Sequence, residues 1–166
     1  MPSRDVLRFP HPALKRAAEA LPLDAIAEIE RLAEDLVDTM RAHQRCVGLA
    51  APQLGEPFRV VVVDVAEHPK ATTSNGLLVL VNPCLVASAG AEVAREGCLS
   101  IPDLTANVRR ATEIVVDAST ISGKRCEIAS QGFEARCLQH EIDHLDGILF
   151  LDRVDSLTTD VFRRKR

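Results

Sequence analysis

The chain has 166 residues, 46% hydrophobic and 27% charged, with a formal net charge of -4: one substantial core of ordinary globular composition, and short for two domains. The small negative charge gives no electrostatic reason to bind nucleic acid or membrane, and with no Trp and no Tyr there is little to stack on bases. No run approaches the roughly 20 apolar residues of a bilayer span, and Met1-Pro2-Ser3-Arg4-Asp5 lacks the apolar stretch behind it that a secretory leader needs.

In chain order, a break at Pro22 is followed by apolar positions Ile26, Ile29, Leu32, Ala33, Leu36, Val37 and Met40, a spacing that predicts a helix over 24–44. Residues 58–65 (Phe-Arg-Val-Val-Val-Val-Asp-Val) are rich in β-branched side chains and read as a buried strand. Residues 77–82 read as another, stopped by Pro83. Segments 113–118 and 124–128 flank Ile121-Ser122-Gly123, a hairpin turn. Ser130 is placed to cap the next helix and Gly147 to end it, with Phe133, Cys137, Leu138 and Ile142 fixing it to the core. Strands in the middle and helices at both ends give an α+β class. With no repeat or low-complexity tract, residues 1–166 read as a single catalytic domain.

That last helix carries Gln139-His140-Glu141-Ile142-Asp143-His144. Four residues are about one helical turn, so His140 and His144 share a face and can hold one divalent cation. Glu141, beside the first His, can reach a water held there and act as a base. A hydrolytic metal keeps three protein ligands and one open position. The third donor has several candidates: His11, His43, His68 and five cysteines, an odd count without paired spacing that predicts reduced thiols. Cys98 is set apart by Glu96-Gly97-Cys98-Leu99-Ser100, where Gly97 allows close backbone approach between predicted strands. Thiolate suits zinc or ferrous iron, although a free cysteine is commonly a small buried hydrophobe.

The segment Cys46-Val47-Gly48-Leu49-Ala50-Ala51-Pro52-Gln53 is small-residued, which suits an extended substrate lying against backbone. Gln53 supplies a neutral amide able to donate to a developing oxyanion.

Taken together, Gly48-Leu49-Ala50-Ala51-Pro52-Gln53, Glu96-Gly97-Cys98-Leu99-Ser100 and His140-Glu141-Ile142-Asp143-His144-Leu145-Asp146-Gly147 resemble the three signature motifs of the peptide deformylases, in the family's order and at comparable spacing. The opening Arg8-Phe9-Pro10-His11-Pro12-Ala13-Leu14 resembles the family's start. The resemblance implies the deformylase fold, antiparallel or mixed sheets around a central H-E-x-x-H helix with an N-terminal helix. It implies removal of the formyl group from the N-terminal formyl-methionine of new polypeptides; the alternative is a related N-acyl-peptide hydrolase or a diverged deformylase-like protein with altered substrate preference. By the same resemblance the metal ligands are Cys98, His140 and His144. Glu141 is general base and then acid, and Gln53 with the backbone N–H of Leu99 stabilises the tetrahedral intermediate. Val47, Gly48, Gly97, Phe133, Arg136 and Cys137 line the substrate. One divalent ion per chain is implied, ferrous natively, with zinc, nickel or cobalt replacing it in preparations. The implied setting is the cytoplasm of a bacterium, or an organelle.

Three positions depart from the family's common pattern. Cys46 stands where Gly is usual, which predicts a narrower channel and a second thiol near the site. Thr105 stands where many members have an Arg that helps hold the peptide. Arg136 replaces an apolar residue of the methionine pocket; it is expected to snorkel outward with its stem covering the pocket, shifting side-chain preference. His11 reads as a turn residue, His43 and His68 as solvated, and Cys84, Cys126 and Cys137 as packed thiols. Glu96 is expected to pair with Arg109 or Arg110, and Asp143 and Asp146 either to orient ligand imidazoles or simply to be exposed. The tail Phe162-Arg163-Arg164-Lys165-Arg166 reads as a solvated helix end; the family's C-terminal extensions make ribosome contact a further implied partnership.

Overall fold

The computed structural model describes residues 3–165; Met1 and Pro2, which opened the leader reading, and Arg166, last of the basic tail, lie outside them. Helix α1 (Ile26–Ala42) leads to strands β1 (Gly48–Ala50), β2 (Val60–Val63), β3 (Leu78–Ala89), β4 (Glu92–Cys98), β5 (Ile101–Arg110), β6 (Glu113–Ser119) and β7 (Arg125–Gln131). Helix α2 (Gly132–Leu145) and strand β8 (Val161–Arg163) complete the order. One sheet runs β1-β2-β3-β6-β7 and the other β4-β5-β8, and every neighbouring pair is antiparallel. The α+β class expected from the sequence is the one observed.

The four valines of β2 explain the layering. Successive side chains on a strand point to opposite faces. Val60 and Val62 pack with Ile29, Leu32, Leu36 and Met40 of α1. Val61 and Val63 pack with Ala135, Leu138, Ile142 and Leu145 of α2. All four valines are fully buried because a helix covers each face. A third cluster, centred on Leu14, Val108, Leu149 and Phe150, supports the small sheet. The metal-binding candidates lie where α2 meets this sheet.

The α1 and hairpin expectations hold to within a few residues. Three local expectations do not. Pro83 does not stop its strand: β3 continues to Ala89 past a bulge between Val81 and Cys84. Asn82 takes a positive φ of 51° there, and its side-chain amide holds both the N–H and the carbonyl of Leu21. A bulge removes the need for the N–H that proline lacks. Ser130 is the penultimate residue of β7 rather than the cap of α2, and its hydroxyl donates to Glu134 Oε1 at 2.7 Å. The tail is not a helix end: β8 pairs with Leu104–Ala106 of β5. Gly147 does end α2, at a φ of 73° that suits glycine.

Candidate metal centre

Cys98 is the last residue of β4, at the irregular turn into β5, while His140 and His144 stand one turn apart on α2. Their donor atoms lie within 4.8 Å of one another, and all three residues are buried. His144 Nε2 is 3.4 Å from Cys98 Sγ. His140 Nδ1 donates to Glu96 Oε1 at 2.9 Å, leaving its Nε2 for the cluster. No other group of three or more such donors was found among the described residues. A buried set of one sulfur and two imidazole nitrogens fits zinc or ferrous iron with a position left open.

Glu96 is more than the strand anchor read from the sequence. Its carboxylate receives two hydrogen bonds from Arg110, at 2.9 and 3.0 Å, and one from Arg136 at 2.7 Å, in addition to His140. Burial opposes its ionisation, but His140 and Arg110 outweigh burial and hold Glu96 well below the usual carboxylate range. An ionised acceptor fixes the tautomer and ring orientation of a ligand histidine. Arg109, the other partner considered, instead faces Asp155 at 3.8 Å. Asp143 and Asp146 do not orient imidazoles: Asp143 binds Arg110 at 2.6 Å and Arg153 at 2.8 Å, and Asp146 binds Arg59 at 3.0 Å.

Glu141 is 5% exposed, and its Oε1 is buried without a hydrogen-bond partner. Burial pushes its carboxyl up to about 7; Glu96 and Asp143 reinforce the shift while His140 and Arg110 oppose it. A Cβ on Gly48 would lie 2.6 Å from Glu141 Oε2, so the glycine of β1 is what lets the carboxylate reach the strand. Gln53 is anchored by its Oε1, which accepts from Ala50 N at 3.0 Å. Its Nε2 donates to Ser100 Oγ at 3.0 Å and points a second N–H at Cys98 Sγ, 3.6 Å away. Ser100 was not singled out in the sequence.

These groups open into a cleft of about 250 Å³. Val47, Gly48, Gln53, Gly97, Cys98, Leu99, Phe133, Arg136, Cys137, His140 and Glu141 all line it, so the sequence-predicted residues are gathered here except His144, which lies beneath. Arg136 is a correction: it is 7% exposed, and rather than snorkelling outward its guanidinium binds Glu96, Val108 O and Glu92 O. His68 is another, since its ring stacks on Phe133 at 4.4 Å and lines the cleft. Cys84 is exposed rather than packed, whereas Cys137 is buried. His11 is the turn residue expected, its Nδ1 accepting from Ala13 N at 3.1 Å. Cys46 donates to Gly48 O at 3.2 Å; burial, reinforced by Glu141, pushes its thiol up to about 12. A larger groove of about 500 Å³, between β3, β6 and β7, is lined by residues such as Ala87, Ile114 and Val115. Its buried Glu134 is already held by Asn75 and Ser130.

The polypeptide deformylase family model matches residues 3–160. The chain belongs to the peptide deformylase family. It is 37% identical over 161 residues to a peptide deformylase of Thermodesulfovibrio yellowstonii, covering 97% of this chain and 94% of that one. A crystal structure of a Legionella pneumophila peptide deformylase superposes with a TM-score of 0.82 at 39% identity, over 94% of this chain and 88% of that one. An Acinetobacter baumannii peptide deformylase crystallised with Met-Ala-Ser gives 0.86 at 33% identity, over 92% and 100%. Like its family, the chain is a hydrolase that acts on the formyl group of nascent polypeptides and depends on a metal. No helix among the described residues is long and apolar enough to cross a membrane.

Proposed function

We propose that residues 1–166 form one catalytic domain in which Cys98, His140 and His144 hold a divalent ion and Glu141, Gln53 and Leu99 carry out deformylation around it. The observation that carries this is the convergence of the three donors, within 4.8 Å of one another, beside a buried carboxylate oxygen that has no partner. When bound, the metal acidifies water and polarises the formyl oxygen.

Glu141 takes a proton from the attacking water at the floor of the cleft. A carboxyl near neutrality is matched to that task and to returning the proton to the leaving amine. As charge develops on the formyl oxygen, the Gln53 Nε2–H that faces Cys98 and the Leu99 N–H donate to it. Gln53 needs no rearrangement, because Ala50 and Ser100 already fix its amide. The peptide lies extended between β1, an edge of the large sheet, and β4, an edge of the small one. Val47, Gly48 and Gly97 offer backbone for strand-like pairing. The first side chain enters the space walled by Phe133, Cys137 and the stem of Arg136. With the Arg136 head engaged elsewhere, that wall is apolar, which favours methionine.

The native ion is proposed to be ferrous, with zinc, nickel or cobalt as substitutes, and the site of action the bacterial cytoplasm. Contact with the ribosome through the exposed cations Arg163 and Lys165 is a further proposal, tested by salt-sensitive co-sedimentation with ribosomes.

The direct test is formate release by metal-loaded protein from formyl-Met-Ala-Ser, beside acetyl-Met-Ala-Ser and an internally blocked peptide. Release from the formyl peptide alone is expected, with turnover falling roughly 100- to 1,000-fold in Gln53→Ala and at least as far in Glu141→Ala. Cleavage of the acetyl peptide at a comparable rate would favour the broader N-acyl hydrolase. Formyl-Leu and formyl-Ala peptides matching formyl-Met would refute the pocket assignment.

A further inference from the structure

The rim of the cleft carries charge that the chemistry above does not use. Arg45, Lys70, Arg95 and Arg164 line it. Among the described residues, the carboxylates in the lining are Glu96 and Glu141, and both are buried. None of the four cations has a carboxylate within ion-pair distance among the described residues. Cations at the mouth with no ion-pair partner among the described residues are complementary to an anionic ligand.

Arg164 lies against the strand that leads to Cys98. It follows β8, and its backbone N–H donates to Asp103 O at 2.9 Å. That bond holds the residue at the edge of the small sheet. A Cβ on Gly97 would lie 2.0 Å from Arg164 Nη2, so the guanidinium lies directly over that glycine. Thr105, opposite Gly97 across the β4–β5 ladder, is short enough to leave this space. Arg95 is braced beside it: its guanidinium lies 3.8 Å from the centre of the Phe162 ring and donates to Thr105 and Asn107. Gly97 precedes Cys98, and an extended peptide advances about 3.3–3.6 Å per residue. A group reaching Arg164 therefore belongs to the second or third residue of a peptide whose first carbonyl lies at Cys98.

We propose that Arg164, supported by Arg95, is a specificity-determining residue that receives a carboxylate from the second or third residue of the substrate peptide. The carboxylate is an acidic side chain or, in a short peptide, the free C-terminus. The inference rests on the deformylase reading of the cleft and adds to it a downstream preference set by the end of the chain. It also gives Gly97 a second role, because any side chain there would displace the guanidinium.

The test uses full-length, metal-loaded protein and two pairs of formyl peptides: formyl-Met-Ala-Glu-amide with formyl-Met-Ala-Lys-amide, and formyl-Met-Ala with its amide. The anionic member of each pair is expected to have a kcat/KM about three- to ten-fold higher, carried by KM and reduced by salt. Arg164→Ala removes the preference and Arg164→Glu reverses it, whereas Arg163→Ala, outside the cleft, keeps it. A wild-type ratio of one, or a ratio unchanged in Arg164→Ala, overturns the inference while leaving the deformylase reading intact. Failure of wild type to release formate from any of the four peptides brings down that reading and the inference with it.

Discussion

Gly48 and Cys46 sit two residues apart beside the same carboxylate: the first makes room for it and the second feels its charge. Gly48 matters for the side chain it lacks, since a Cβ there would meet Glu141 Oε2 at 2.6 Å. In Gly48→Ala the carboxylate must move while the hydrophobic layers around it are untouched. Displacing a reacting group by about 1 Å can cost on the order of 100-fold. Turnover is expected to fall by about 10- to 100-fold, with a melting temperature close to that of wild type; an unchanged kcat would contradict the geometry. Cys46 is a thiol that stays a thiol. Burial and the neighbouring Glu141 push it up to about 12, and the thiolate is the reactive form. Limited treatment with iodoacetamide near pH 8 should label exposed Cys84 well before Cys46, read by peptide mass mapping. Early labelling of Cys46 would show that its setting is wetter than described.

At the scale of elements, α2 is a helix whose polar residues face inward. Glu134, Arg136, His140, Glu141, Asp143 and His144 are all buried. Arg136 illustrates what holds them there: its three acceptors are Glu96, Val108 O and Glu92 O. Arg136→Leu would take one donor from each of two carbonyls and leave Glu96 short of one cation. Breaking such a buried pair is expected to cost about 3 kcal/mol, measured by denaturant unfolding; a loss below about 1 kcal/mol would mean that water replaces the guanidinium. The sequence made the period-4 histidines and the α1 stripe legible because both follow from helical spacing. It did not reveal β4 and β5, whose exposed faces break the alternation of apolar and polar residues. Nor did it reveal where the Arg136 head goes, or that Glu96 holds His140. Those depend on partners 28 to 44 residues away in the chain, and local periodicity carries no such information. The departure at Thr105 was visible as a letter, but the space it leaves for Arg164 was not.

A second clasp works between elements on the far side. Arg4 donates to Asp35 of α1 at 3.2 Å and to Glu56 at 2.8 Å, and Arg31 of α1 reaches both acids. Burial raises the Glu56 pKa, but Arg4 and Arg31 outweigh it and hold the carboxyl below its ordinary value. A depressed carboxyl contributes stability that is full above its unfolded pKa of roughly 4.3 and is lost as pH falls through the folded value. Glu56→Gln is therefore expected to cost about 1 kcal/mol at pH 7 and progressively less below pH 4. Denaturant titrations at the two pH values would check this, and a pH-independent difference would contradict it.

For the whole molecule, the three proposed ligands join two layers. Cys98 belongs to the small β4-β5-β8 sheet, and His140 and His144 belong to the helix under the large sheet. An ion held by all three therefore crosslinks layers that also meet through the Glu96–Arg110–Asp143 cluster, the Arg136 bonds to β4 and β5, and the His140–Phe150 ring contact. A ligand that binds only the folded chain adds about 4 kcal/mol when present at a thousandfold excess over its Kd. For a chain of this size, each kcal/mol moves the melting temperature by roughly 2–4 °C. Stripping the metal with a chelator is expected to lower the melting temperature by on the order of 10 °C, and returning zinc or anaerobic ferrous iron should restore it. Cys98→Ala removes one donor from the small sheet while leaving both imidazoles on α2, so its melting temperature should lose most of this metal dependence. If that variant gained as much from added metal as wild type does, the ion would be held within α2 alone. The bridge between the layers would then rest on the charged cluster, the Arg136 bonds and the ring contact rather than on the metal.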